Sequence, residues 1–339
     1  MDPRLEQLRH WTGTLPASWQ LDPGSIAPAS GDASFRRYFR ITSPGLEGGS
    51  AILMDAPPDK EDCRPFLHAA AVLRDSGITV PSVYASDLGL GFLALEDFGS
   101  VTYLDVLDDH TAPALYSEAS AALVSMQIAG GHPRFSPYDA ALLEREIDLF
   151  LPWYVERHLG LSLTDTELQT FMHARRLLVE CALAQPVVTV HRDYHSRNLM
   201  LLAGNRNPGI LDFQDAVGGP ITYDLVSLLR DAYIDWDEEQ VLDWCIRHWE
   251  RARRAGLPVS HDFGSFYRDF EWMGLQRQLK VLGIFARLSH RDGKSRYLQD
   301  CPRVMGYAQA VARRYIDLAP LAALLDRING TERQVGHTF

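Results

Sequence analysis

His191-Arg192-Asp193-Tyr194-His195-Ser196-Arg197-Asn198, followed by Leu199-Met200-Leu201-Leu202 and, nineteen residues after Asp193, by Asp212-Phe213, decides the reading of this 339-residue chain. Strand-like runs flank it, Val187-Val188-Thr189-Val190 before and Gly209-Ile210-Leu211 after. Taken singly, an Asp after His-Arg caps a turn, an Asn before a Leu run ends a loop, and Asp-Phe closes a strand. Together, H-R-D-x-x-x-x-N and a later acid supply what phosphoryl transfer from Mg-ATP needs. One carboxylate stands near the acceptor hydroxyl, and an amide oxygen and a second carboxylate are hard ligands for Mg2+. On this reading Asp193 orients the acceptor and takes its proton, while Asn198 and Asp212 hold the metal.

Outward from this loop the chain changes character. Phe35 to Ile41 and Ser50 to Met54 read as two strands joined by the turn Ser43-Pro44-Gly45-Leu46-Glu47-Gly48-Gly49. A helical spacing of Phe66, Leu67, Ala70 and Leu73 runs from about Asp62 to Asp75 and stops at Gly77. Val80 to Tyr84 and Phe92 to Leu95 add short strands, so the first hundred residues predict a small sheet with one helix. After Gly99, long amphipathic segments follow at about 113–129, 140–159, 165–184, 222–232, 237–255, 262–289 and 303–327. The expectation is an α+β chain of two lobes, a small antiparallel-sheet lobe over 1–98 that binds nucleotide and a larger helical lobe over 99–339.

Composition narrows the partners. Hydrophobic residues make up 46 % and charged residues 23 %, which excludes a disordered tail or a coiled-coil rod. The net charge of -11 repels phosphate backbones and anionic lipid, so neither nucleic acid nor membrane is an expected partner. Cys63, Cys181, Cys245 and Cys301 form no C-x-x-C pair and read as free thiols. The charged first residues, Met1-Asp2-Pro3-Arg4, lack the apolar core of a signal peptide, and the expected location is the cytoplasm.

These motifs resemble the aminoglycoside phosphotransferase and choline kinase branch of the protein-kinase-like fold, over about residues 25–325. The branch continues from the catalytic loop with motifs matched here by Leu211-Asp212-Phe213-Gln214-Asp215-Ala216 and by Gly219-Pro220-Ile221-Thr222-Tyr223-Asp224-Leu225. The resemblance implies ATP and Mg2+ as cofactors and a supporting, non-catalytic role for Asp224. It assigns the phosphate-covering loop to Ser30–Phe39, with Gly31, Asp32, Ala33, Ser34 and Arg37 as nucleotide contacts, although one glycine stands where three are usual. By position, Glu96, Asp97 and Phe98 form the hinge that meets adenine. The lysine expected on the third strand is replaced by Met54, and the next helix lacks its partner glutamate. None of the three lysines, Lys60, Lys280 and Lys294, fits. Arg36, Arg37, Arg40 and Lys60 are then the candidate phosphate anchors.

A closer resemblance is to the bacterial anomeric kinases of cell-wall sugar recycling. It rests on Met54-Asp55-Ala56-Pro57-Pro58, the catalytic loop, Asp212 to Ala216, and Leu282 to Leu288 with Arg291-Asp292-Gly293-Lys294. It implies a small amino sugar as the acceptor, N-acetylmuramate or N-acetylglucosamine phosphorylated at C1. The expected substrate contacts are His195, Arg197, Gln214, Asp215, Trp272, Arg277 and Lys280. Arg277, Lys280 or Arg287 would take the lactyl carboxylate of N-acetylmuramate. Two alternatives stay open, another small-molecule kinase of the same family and a non-catalytic nucleotide-binding scaffold. Protein partners and oligomeric state leave no trace in the sequence.

Overall fold

The computed structural model describes residues 2–30, 35–129 and 134–330. In chain order the first elements are α1 (Pro3–Thr12), β1 (Asp22–Ser30), β2 (Arg37–Thr42), β3 (Ser50–Asp55), α2 (Arg64–Asp75), β4 (Val83–Asp87), β5 (Phe92–Glu96) and α3 (Tyr103–Val106). There follow α4 (Ala112–Ala129), α5 (Ala140–Ile147), a π-helical segment Phe150–His158, α6 (Asp165–Ala184), β6 (Val187–Val190), β7 (Leu199–Met200), β8 (Gly209–Ile210) and β9 (Val217–Pro220). The chain ends in α7 (Tyr223–Leu229), α8 (Glu238–Arg254), α9 (Phe263–Asp292), α10 (Cys301–Arg314) and α11 (Ala319–Ile328). Two compact units result, Met1–Val106 with Arg197–Asp215, and Leu107–Ser196 with Ala216–Phe339.

The first unit is built on an antiparallel sheet of order β1-β2-β3-β5-β4. Alternation sends Phe39, Ile41, Ala51, Leu53, Phe92 and Ala94 to one face, where they pack with Leu8 and Trp11 of α1. Asp2 caps α1 by accepting from the Arg4 and Leu5 backbone N–H groups, and Pro3 occupies its first turn. The helix is then pinned by charge, since the buried Asp55 carboxylate takes the guanidinium groups of both Arg4 and Arg37. α2 buries Phe66, Ala69, Ala70 and Leu73, and ends as its sequence predicts. Gly77 adopts φ 76°, its N–H reaches Arg74 O at 2.9 Å, and Ile78 N–H reaches Leu73 O at 3.0 Å.

Three departures from the predicted elements have local causes. The first hundred residues hold α1 besides α2, and α1 escapes the periodicity test because only Leu8, Trp11 and Thr12 of its ten residues are buried. β1 carries Pro23, Gly24 and Pro28, which suppress a strand signal; it is an edge strand, where missing donors are tolerated, and its pairing with β2 is irregular. The fourth strand begins at Val83 instead of Val80, after Pro81.

The short hairpin β7–β8 belongs to this first unit, although it lies a hundred residues beyond the sheet. Leu201 N–H donates to Val101 O at 2.9 Å, Ile210 N–H donates to Thr79 O at 2.8 Å, and Met200 pairs with Thr102. Gly209 permits the approach: a Cβ there would meet the Phe98 ring at 2.7 Å. Phe213, just beyond the hairpin, is fully buried against Phe66 with ring centroids 4.9 Å apart. The chain from Asn198 to Phe213 is therefore fixed to the sheet-bearing unit.

Among its described residues the second unit is helical apart from the antiparallel pair β6–β9 and an isolated bridge between Pro137 and Gly218. Its axis is the 30-residue α9, buried on every side from Phe270 to Gly283. That burial forces Glu271, Arg277 and Lys280 inside with the apolar residues. The predicted helix over 140–159 divides into α5 and the π-helical segment, at whose start α9 comes so close that a Cβ on Gly283 would lie 2.5 Å from the Leu149 carbonyl carbon. The segment over 303–327 breaks at Tyr315, with Pro320 in the first turn of α11. Residues 165–184, by contrast, form one helix, closed by a capping box between Thr164 and Glu167.

Candidate active site

β6 ends at Val190 and delivers His191 into the second unit, where the catalytic loop is held by its backbone. Asp224, in the first turn of α7, accepts from His191 N–H at 2.6 Å and from Arg192 N–H at 3.0 Å. Arg192 adopts φ 78°, a left-handed conformation that a non-glycine residue keeps only when its surroundings enforce it. Its side chain is fixed as well: the guanidinium donates to Glu146 of α5 and lies 5.6 Å from the centre of the Tyr138 ring. Asp193 N–H donates to His191 Nδ1 at 3.2 Å, and His195 N–H to Asp193 O at 3.0 Å. Farther along, Ser196 donates through N–H and Oγ to Asp231 Oδ2, at 2.9 and 2.6 Å. Asp231 also accepts from Tyr233 N–H at 3.0 Å, and the Tyr233 ring stands edge-on to His195. The loop around Asp193 is thus clamped by two buried carboxylates seven residues apart, one at each end of α7.

Electrostatics differ sharply between these acids. Burial pushes Asp193 up, but the positive charges of Lys280 and Arg277, with the imidazoles of His195 and His191, outweigh it and hold the carboxyl below its ordinary value. Asp193 is therefore ionised at neutral pH. Burial also pushes up Asp224; the N–H groups of His191 and Arg192 oppose this, the Asp193 charge adds to it, and the carboxyl comes to about 7. Glu146 is held below its ordinary value, because Lys280 and Arg192, with the Tyr138 hydroxyl, overcome the effect of its burial.

In the first unit, the hairpin brings Asn198 and Asp212 together. Leu211 N–H donates to Asn198 O at 2.9 Å, which sets the two residues side by side, with Asn198 Nδ2 and Asp212 Oδ2 3.5 Å apart. Gln214 Nε2 donates to Asp212 Oδ1 at 2.7 Å. Asp212 adopts φ 64°, a second non-glycine residue in the left-handed region. Hard oxygen donors converge here, an amide and a carboxylate on strained backbone, and this donor set fits Mg2+, which takes one or two protein oxygens and completes its shell with water and phosphate. Among the described residues no group of three or more His, Cys, Asp and Glu is arranged as a closed metal cage.

The other predicted site residues have definite places. Gly31, Asp32, Ala33 and Ser34 lie outside the described residues. Arg37 is engaged by Asp55 and Asp2, Arg40 by Asp97 and the Gly99 carbonyl, and Arg36 by Glu61 at 3.2 Å. Glu96 accepts from Arg206 at 2.6 Å, Asp97 accepts from Arg40, Ser50 and Gly99, and Phe98 lies under Arg206. Arg197 adds its charge near Asp105 in the same unit, and Asp215 is exposed. In the second unit, Arg277 contributes to the positive surroundings of Asp193 and Asp224. Lys280 Nζ lies 3.2 Å from Glu146 Oε1 and donates to Tyr223 Oη at 2.9 Å. Trp272 is engaged elsewhere, edge-on to Tyr315 with Arg268 over its face.

Glu146 and Asp231 were not singled out from the sequence. Glu146 had a signal: it occupies an apolar-periodic position between Leu143 and Phe150, where an acid has a reason to be. Asp231 had a fainter one, its two-turn spacing from Asp224. Among the described residues, no helix is long and apolar enough to cross a membrane.

Comparison with known proteins converges on one family. Residues 25–257 match the model of the phosphotransferase enzyme family. N-acetylmuramate/N-acetylglucosamine kinases are similar along nearly the whole chain: that of Pseudomonas putida is 44% identical with 98% of each chain covered, and that of Neisseria meningitidis 47% identical with 99% of each covered. The namesake from Caulobacter vibrioides is 30% identical, covering 88% of this chain and 90% of its own. Among solved structures, the ADP-bound aminoglycoside phosphotransferase APH(2'')-Ib matches with a TM-score of 0.60 at 13% identity, covering 96% of this chain and 99% of that one. A choline/ethanolamine kinase family protein from Mesorhizobium loti matches with a TM-score of 0.62 at 12% identity and the same coverage. At those identities the structures speak for the two-lobe kinase-like fold alone, and it is the near-full-length relatives and the family match that make this chain a member of the phosphotransferase enzyme family.

Proposed function

We propose that this protein transfers the terminal phosphoryl group of ATP to the C1 hydroxyl of N-acetylmuramate and N-acetylglucosamine, in the cytoplasm, as a step of cell-wall sugar recycling. The observation that carries the proposal is the 44–47% identity, over almost all of both chains, to kinases named for these two sugars. In the reaction the acceptor oxygen bonds to phosphorus, the bond from phosphorus to the bridging oxygen breaks, ADP leaves, and the hydroxyl proton passes to Asp193. Asp193 is ionised but a weak base, because the cations around it lower its proton affinity. An anomeric hydroxyl suits such a base, being more acidic than an ordinary alcohol. Asn198 and Asp212 are the residues proposed to hold Mg2+, which when bound neutralises charge on the phosphates.

On the nucleotide side, Gly31 to Ser34, Arg37 and the hinge Glu96 to Phe98 are the proposed contacts. On the sugar side they are His195, Arg197, Gln214, Asp215 and Arg277; Trp272 and Lys280 already have protein partners. A cationic acceptor, such as an amino alcohol or an aminoglycoside, is disfavoured by the same field. Lys280, Arg277, His191 and His195 surround the base where such a substrate would need carboxylates.

The test is a substrate whose C1 oxygen is blocked. Free N-acetylglucosamine and N-acetylmuramate should yield sugar 1-phosphates, recognised by phosphorus coupling to the C1 proton, and the methyl glycoside of N-acetylglucosamine should be inert. Turnover of the methyl glycoside, or a 6-phosphate product, would overturn the anomeric assignment.

A further inference from the structure

We propose that Lys280 is a positioning residue for the phosphotransfer reaction, held between Glu146 and Tyr223 so that it supplies a buried positive charge to Asp193 and, through Glu146, fixes the side chain of Arg192. The proposal rests on the kinase reading above and adds a role to a residue for which the sequence suggested a substrate carboxylate. Its basis is geometric. Lys280 is 5 % exposed on a helix buried on all sides, and its ammonium contacts Glu146 Oε1 at 3.2 Å and Tyr223 Oη at 2.9 Å. Glu146, itself 6 % exposed, accepts from the Tyr138 hydroxyl and from the Arg192 guanidinium. Arg192 is the residue immediately before Asp193, and its left-handed backbone is gripped by Asp224 from below.

Charge counting shows what the third member does. Glu146 with Arg192 alone would be a neutral buried pair, which geometry and hydrogen bonds could sustain. Lys280 makes the group net positive. A surplus cation in a dry interior needs a further anion, and the anion at hand is Asp193. Around Asp193 the charged and titratable groups are Lys280 and Arg277 from α9, His191 and His195 from its own loop, and Asp224 from α7, with Glu146 of α5 one step behind Lys280. Lys280 is the largest of the cationic influences on Asp193. The ammonium thus favours the ionised form of Asp193, with Arg277, and holds the acid that aims Arg192.

The experiment compares wild type, Lys280→Met and Lys280→Arg in the pH dependence of kcat and of KM for each sugar. Loss of the charge removes the main stabiliser of the ionised carboxyl, so the acidic limb of kcat should move to higher pH in Lys280→Met, equally with N-acetylglucosamine and N-acetylmuramate. Neither KM should rise selectively, and Lys280→Arg should return the limb towards wild type. A limb that stays in place overturns the proposal. So does a rise in KM for N-acetylmuramate alone, since that marks Lys280 as the ligand of the lactyl carboxylate. Should Lys280→Met fail to fold, Tyr223→Phe removes only the hydroxyl that steadies the ammonium and should move the limb in the same direction. If wild type phosphorylates neither sugar, the kinase reading fails separately. A carboxyl carbon-13 NMR titration of the unliganded protein, with Asp193→Asn for assignment, then reads whether Asp193 titrates higher in Lys280→Met, and an unchanged titration overturns the proposal by itself.

Discussion

Removing Asp224 tests how the catalytic loop is held. Its carboxylate is fully buried and accepts two backbone N–H groups, from His191 at 2.6 Å and Arg192 at 3.0 Å. Asp224→Ala leaves both donors buried and unpaired, at about 1–3 kcal/mol each, so the variant should lose about 2–6 kcal/mol. That is a large share of the stability of an ordinary domain, about 5–15 kcal/mol. Asp224→Asn keeps one acceptor oxygen and should lose about half as much. The pH dependence carries the sharper signature. Folded, Asp224 keeps its proton up to about pH 7; unfolded, it releases it near 3.8. The folded state therefore binds the extra proton between these values, and wild-type stability falls as pH rises through the interval, by at most about 4 kcal/mol over its whole width.

Asn has no such proton, so the advantage of wild type over Asp224→Asn should be greatest near pH 4 and shrink steadily up to about pH 7, above which it levels off. Urea unfolding at several pH values, followed by tryptophan fluorescence, measures it. A difference that does not change with pH would show that Asp224 is ionised throughout. An Asp224→Ala protein within about 1 kcal/mol of wild type would show that the loop does not depend on these two bonds.

Asp193→Asn should lower turnover by a factor of about 10² to 10⁴ while leaving ATP affinity, measured by calorimetry, nearly unchanged; turnover within threefold of wild type would remove Asp193 from its role. Asp212→Ala should abolish the part of ATP binding that depends on added Mg2+, and an unaltered Mg2+ titration would refute the assignment. Asp231→Ala should destabilise by about 1–3 kcal/mol, because Ser196 N–H loses its acceptor inside the protein, and a kcat loss should accompany it. Asp55→Ala should detach α1 from the sheet, lowering the melting temperature and exposing Trp11 to a fluorescence quencher; unchanged quenching would show that the apolar contacts of Leu8 and Trp11 suffice.

What the sequence made legible was local. The loop from His191 to Asn198 and the acid at Asp212 could be read because both lie in short words with fixed spacing. α6 and the Gly77 stop could be read because caps and periodicity are written in neighbouring residues. Partners far apart in sequence left no such trace. Nothing around Thr79 or Val101 announces that their carbonyls receive a hairpin from residues 199–210, and so a single cut between 98 and 99 does not describe the compact units, the first of which is discontinuous. Asp55 lies in a strand word that reads as apolar, yet its carboxylate collects two arginines from α1 and β2. Lys280 could be seen as a scarce cation; that its partner is Glu146, on another helix, could not.

The missing third-strand lysine can now be placed in a physical setting. Met54 is fully buried and paired across the sheet with Tyr38 and Leu93, and the residues that α2 buries, Phe66, Ala69, Ala70 and Leu73, include no carboxylate. A lysine there would be an uncompensated buried charge, so Met54→Lys should destabilise or lose its proton, and a more active, equally stable variant would contradict this. The arginines that the sequence offers as substitutes are already engaged, Arg37 with Asp55 and Arg40 with Asp97. Burial would push Asp97 up, but Arg40, Ser50 and the Gly99 N–H together hold it below its ordinary value, so that pair is stable at neutral pH. Arg40 could reach a phosphate only by leaving Asp97 without its cation, and Arg37 only by giving up Asp2 and its share of Asp55, which Arg4 also holds. Arg36, just before β2 and held by Glu61 at 3.2 Å and by Tyr38, is of these arginines the one nearest in sequence to the proposed nucleotide contacts Gly31 to Ser34. Arg36→Ala should therefore raise the KM for ATP more than Arg40→Ala does, with the KM for sugar unchanged in both, and the reverse order would place the phosphate anchor on the Asp97 side of the sheet.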